Sequence, residues 1–223
     1  MQKRATLIAI LMLAGIVFFS NCNEKKAEAA TTQTLVAAEK NDYGGYESKE
    51  KWGAHLVTIA GCNDCHTPKK MSPMGPVLDS SLLLSGHPEK MPAPVVNRKE
   101  IESKGYGVTQ TLTAWVGPWG ISFAGNLTPD STGTGNWTES QFQYALRNGK
   151  FKGLPNNRPL LPPMPWDMYQ HMTDGEISAV FAFLRSIKPI KNVVPAAVPP
   201  VSAKSTLLCP STPHSAALPP MSA

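Results

Sequence analysis

Five consecutive residues, Cys62-Asn63-Asp64-Cys65-His66, constrain this chain more than anything else in its 223 residues. C-x-x-C-H is the covalent attachment signature of c-type haem. Two thiols at this spacing can add across two vinyl groups on one edge of a porphyrin. The histidine directly after the second thiol then lies under the ring and offers an imidazole nitrogen to iron. Moving that histidine along the chain would take it off the iron axis. A zinc site needs four ligands, and the sequence has no second C-x-x-C and no H-x-x-x-H. A thioredoxin-like pair would sit at a strand-to-helix junction in a βαβ pattern, which this sequence lacks. The motif occurs once, so the expectation is one haem c, held by Cys62, Cys65 and His66.

A covalently held haem suits an exported chain, and the N-terminus reads as an export signal. Lys3 and Arg4 precede a near-continuous apolar run from Ala5 to Phe19. Such a run has signal-peptide length and is short of the ~20 residues of a membrane span. Residues 1–21 are therefore expected to be a lipoprotein-type signal peptide, with a single-span anchor as the alternative. Cys22 follows the run directly and resembles the lipidation site of a bacterial lipoprotein. Ordinary cleavage after Ala27-Glu28-Ala29 is the rival, but Lys25 and Lys26 would then lie just past the apolar run, where lysines oppose translocation. The expectation is a lipid anchor at Cys22, export to the periplasmic side, and attachment to the membrane through that lipid. Residues 22–46 read as a flexible tether. Residues 191–223, rich in Pro, Ala, Ser and Val, read as an extended or disordered tail carrying Cys209.

Composition supports a folded middle. Hydrophobic residues make up 42% of the chain, enough for a core, and the formal net charge is only +5. No Lys/Arg block exceeds two residues, so nucleic acid is not an expected partner. Three helices are expected. The first runs from Ser48 to Ala60, with Trp52, Leu56 and Ile59 as its apolar face and Gly61 as its stop. The second starts at the capping box Thr138-Glu139-Ser140-Gln141, buries Phe142, Ala145 and Leu146, and stops at Gly149. The third starts at the capping box Thr173-Asp174-Gly175-Glu176, carries Ile177, Val180, Phe181 and Leu184, and is limited by Pro189. Trp137 with Phe142, and Met172 with Ile177, are the hydrophobic staples of these two helices.

Haem iron has two axial positions. Donors downstream of the motif are Met71, Met74, Met91, Met164, Met168, Met172, His87 and His171. Met164 stands out because Leu161-Pro162-Pro163-Met164-Pro165-Trp166 is stiffened by prolines on both sides. A stiff loop can hold a thioether against iron without an ordering cost at each redox event. Methionine raises the reduction potential and favours electron transfer.

The order of features resembles the class I c-type cytochromes, especially the cytochrome subunits of periplasmic membrane-bound dehydrogenases. The features are the motif from Cys62 to His66, the Asn126-Leu127-Thr128-Pro129-Asp130 stretch, the capped helix from Thr138, the Pro163-Met164-Pro165-Trp166 loop and the helix from Thr173. The resemblance implies a single all-α cytochrome c domain over residues 47–190, with long irregular loops around one haem. It implies thioethers at Cys62 and Cys65, His66 as proximal ligand and Met164 as distal ligand. The function implied is one-electron carriage between redox partner proteins, a donor dehydrogenase and an acceptor oxidase or cytochrome. An electron-transfer protein is expected rather than an enzyme. The alternative is a haem enzyme or sensor with an open or displaceable distal site, acting on peroxide or a sulfur compound. The stretch from Thr67 to Asn136 is expected to wrap the haem edge, with Trp115, Trp119 and Phe123 available to the ring or to the core, and Asn126 or Arg147 available to a propionate.

Overall fold

The structure is a computed structural model, and it describes residues 43–202. The expected signal peptide, Cys22, nearly all of the tether and Cys209 lie outside the described residues. Among the described residues no helix is long and apolar enough to cross a membrane.

Helix α1 (Lys49–Ile59) begins at Ser48, whose hydroxyl accepts from the Lys51 N–H. Gly61, at φ 67°, turns the chain into the one-turn helix α2 (Cys62–His66). Helix α3 (Arg98–Lys104) starts at Asn97 and stops at the left-handed Gly105. Helix α4 (Glu139–Asn148) has the complete Thr138/Gln141 capping box and a left-handed Gly149 at its end. A single turn, α5 (Trp166–Tyr169), precedes α6 (Asp174–Ser186), which carries the Thr173/Glu176 capping box.

The expected all-α fold is not what the chain adopts. Two antiparallel sheets lie within the stretch from Thr67 to Asn136. Strands β1 (Lys69–Ser72) and β2 (Gly75–Leu78) form a hairpin. Strands β3 (Val108–Thr109), β4 (Ala114–Gly117) and β5 (Gly120–Phe123) form a three-stranded sheet in that order. The β1–β2 and β4–β5 hairpins each turn at a glycine that takes positive φ, Gly75 at 104° and Gly120 at 93°, a conformation that costs glycine little. Proline supplies the other half of each turn, Pro73 and Pro118.

The core is built by α1 crossing α6, with α4 packed beside them. At the crossing, a Cβ on Gly53 would overlap the Ala179 carbonyl, so the two backbones meet where only glycine fits. Leu56, Val57, Phe142, Leu146, Ile177, Val180 and Leu184 fill the interior with Leu84. Phe142 and Phe181 pack at 5.3 Å between ring centres. The α1 face is rotated from the expected one: Val57 is buried and Ile59 is 66% exposed.

After α6 the chain runs back past the 85–89 segment to β5 and α3 as an extended strap. Asn192 donates to the carbonyls of Ser85 (2.7 Å) and His87 (2.9 Å) and accepts from the Glu89 N–H. Val198 forms an isolated bridge with Ile121 of β5. Arg98 donates to the Pro199 carbonyl at 2.6 Å, and the Val201 N–H donates to Glu102.

Candidate functional site

Helix α2 presents Cys62, Cys65 and His66 within one turn. The two cysteines form no disulfide. Burial pushes the Cys62 thiol up to about 11 and also raises Cys65. Exchange-active thiol pairs need the reverse, a lowered pKa that populates the thiolate. The pair is therefore built as two neutral, half-buried thiols.

The His66 ring is oriented from outside the motif. Its Nδ1 lies 2.7 Å from the Gly125 carbonyl oxygen. A carbonyl can only accept, so Nδ1 carries the proton and Nε2 keeps a lone pair free for an electrophile. Burial holds this imidazole below its ordinary pKa, with the Gly125 bond acting in the opposite direction. The loop that supplies Gly125 is itself fixed. The Gly86 N–H donates to the His66 carbonyl, and Leu127 donates to Leu84. Asn126 accepts from the backbone and hydroxyl of Thr128 and donates to the Ile190 carbonyl at 2.8 Å. Its side chain is spent on this network. Arg147 is likewise spent, donating to the Gln170 carbonyl and pairing with Asp174 at 2.7 Å.

The Met164 loop is brought to the same neighbourhood. Tyr169, in the turn that follows it, donates its hydroxyl to the Ala60 carbonyl at 2.6 Å, two residues before the motif. Cys62 and Met164 both pack against the same core cluster. On the other side, Ser122 of β5 donates to the Pro162 carbonyl at 2.6 Å. Gly149 leaves space for the Trp166 ring, which a Cβ there would penetrate.

The other candidate donors are placed differently. Met71, Met74 and Met168 are 80%, 94% and 68% exposed. His171 is exposed, and Met172 packs against the core as a staple. His87 is fully buried, with Nδ1 2.9 Å from the Thr113 hydroxyl and Nε2 2.8 Å from the Met91 carbonyl. Both of its nitrogens are therefore engaged. Phe123 lies against His87 at 4.9 Å between ring centres, and Trp115 is buried in β4. Among the described residues, no group of three or more His, Cys, Asp or Glu side chains could hold a bare metal ion. The residues on α2 instead fit a covalently bound haem, with two thiols and one oriented imidazole in a single turn.

Gly125, Tyr169 and Ser122 are not legible in the sequence as site residues. Gly125 acts through its carbonyl and leaves no side-chain signal. Tyr169 and Ser122 act through folding contacts far along the chain.

No protein-family profile matches the chain. Over 80 residues, 35% of this chain, it is 32% identical to a subunit of the nicotinate dehydrogenase of Pseudomonas putida, of which it covers 6%. Over 75 residues, 33% of this chain, it is 36% identical to the fructose dehydrogenase cytochrome subunit of Gluconobacter japonicus, covering 15% of that protein. A similar 75-residue match, 35% identical, is to the gluconate 2-dehydrogenase cytochrome c subunit of Pantoea cypripedii, of which 16% is covered. The chain thus has a cytochrome c-like relationship to dehydrogenase subunits over about a third of its length, and spans less than a fifth of these relatives.

Proposed function

We propose that the chain is a one-electron carrier with one covalently bound haem c. Cys62 and Cys65 would form the thioethers, and His66 and Met164 would hold the iron. When bound, the haem supplies the ferrous–ferric couple. The observation that carries the reading is the 2.7 Å contact between His66 Nδ1 and the Gly125 carbonyl, which leaves Nε2 as the donor nitrogen beside two neutral thiols. The chain's own work is to orient that imidazole and to hold a thioether on a loop stiffened by three prolines. A thioether donor favours the reduced state and a closed coordination shell, which suits carriage better than catalysis. Relatives that are cytochrome subunits of fructose and gluconate dehydrogenases support a dehydrogenase as electron donor. We propose in addition export to the periplasmic side and a lipid anchor at Cys22, supported by the apolar run from Ala5 to Phe19 directly before it.

Denaturing gel electrophoresis followed by haem staining tests the attachment. The haem is expected to migrate with the chain, and both Cys62→Ser and Cys65→Ser should lose most of it. Haem that leaves the unmutated chain under these conditions refutes the reading. The anchor is tested separately: Cys22→Ser should shift the protein from the membrane to the soluble fraction.

A further inference from the structure

We infer that Ser122 is a positioning residue for Met164: its hydroxyl, held by the Trp119 indole, fixes the Met164 loop through the Pro162 carbonyl and sets how readily the thioether leaves iron. The inference rests on the proposed role of Met164 as an axial donor.

The argument starts from what the loop lacks. Pro162, Pro163 and Pro165 have no N–H. The one amide among them, that of Met164, is used locally on the Leu161 carbonyl at 3.2 Å. This segment therefore has no main-chain donor to offer the rest of the protein, and must be tied down through its carbonyls or side chains. The Pro162 carbonyl receives such a tie, from Ser122 at 2.6 Å. Ser122 is 6% exposed, so its hydroxyl has few partners other than the Pro162 carbonyl. A serine hydroxyl has one proton and two lone pairs. Trp119 Nε1, which can only donate, occupies a lone pair at 3.0 Å. That leaves the single proton for Pro162.

The anchor itself cannot drift. Ser122 pairs with Trp115 across β4–β5. Its neighbour Ile121 exchanges both backbone bonds with Val198 of the strap, at 2.8 and 2.9 Å. Gly117 carries no Cβ where the Trp119 ring lies, which lets the indole fold back over the hairpin to reach Ser122. The two ends of the Met164 segment are thus held by different parts of the molecule, Pro162 by the sheet and Tyr169 by the end of α1.

The test uses the haem-loaded full chain and the affinity of added imidazole for the ferric protein. Imidazole binds only where Met164 has left, so its apparent affinity rises by the same factor as the dissociated fraction. Ser122→Ala should raise that affinity roughly threefold to tenfold, the range expected for losing one neutral hydrogen bond. Trp119→Phe, which keeps a ring but no donor, should give a smaller rise in the same direction and carries the test if Ser122→Ala does not fold. Thr109→Ala removes a comparable bond in the same sheet, to Ala114 at 2.7 Å, and should leave the affinity unchanged. An unchanged affinity in both Ser122→Ala and Trp119→Phe, with Met164→Ala raising it strongly, overturns the inference. So does an equal rise in Thr109→Ala, which would mean general loosening. If Met164→Ala itself leaves imidazole binding unchanged, Met164 is not the donor, and the failure lies in the reading beneath.

Discussion

Tyr169 shows how much one phenol can join. Its bond to the Ala60 carbonyl links the turn after Met164 to the chain just ahead of Cys62. Burial pushes this phenol from its ordinary 10.0 up to about 12, so it remains a donor well into alkaline solution. The folded state binds that proton more tightly than the unfolded chain. The resulting stability is fully present below pH 10.0 and is lost as pH rises toward about 12. Tyr169→Phe should lower stability by about 1 kcal/mol in urea unfolding and flatten that alkaline decline. His87 gives the opposite slope. Burial holds it below its ordinary 6.5, so acid favours the unfolded chain. The urea midpoint should fall as pH drops below 6.5, and less steeply in His87→Gln. Nothing in the sequence removes His87 from the candidate donors. Only the placement of Thr113 and Met91 against its two ring nitrogens does so.

Among the elements, the crossing of α1 and α6 decides the most. Replacing Gly53 with Ala would gain helix propensity of about 1 kcal/mol. It would also force a methyl into the Ala179 carbonyl, and overpacking of this kind costs about 1–3 kcal/mol or more. Packing should win: Gly53→Ala is expected to lower the urea midpoint, or to leave the chain unfolded by circular dichroism. The same glycine explains why the buried face of α1 is hard to read from the sequence. A hydrophobic pattern assigns no inward weight to Gly, so the expected stripe of Trp52, Leu56 and Ile59 takes in Ile59 and misses Gly53 and Val57. Helices α4 and α6 are legible because each capping box lies within four adjacent residues. The sheets are not. Strands of four residues or fewer show no clear period of two, and Lys69-Lys70 does not look like a strand beginning. The Ser72-Pro73-Met74-Gly75 and Gly117-Pro118-Trp119-Gly120 turns are the local hairpin signals, and they are weak beside two complete capping boxes.

At the scale of the molecule, the strap after α6 joins both sides of the candidate site. Through Asn192 it holds the 85–87 backbone, whose Gly86 bonds to His66. Through Val198 it holds β5, which carries Ser122. Asn192→Ala would strip two carbonyls of their donor, for a cost of about 2 kcal/mol and a fall in Tm of about 5 °C by calorimetry. The placement of the strap is not readable from composition, because its prolines suggest an extended chain without saying what it lies against. The proline-rich Met164 loop has a further effect on how copies of the protein meet one another. Pro162 and Pro163 are exposed, and an exposed stretch of chain ordinarily offers amide donors on which a neighbour's backbone can build a strand. These prolines offer none, so crowded copies can touch at this loop without seeding β-type aggregation there.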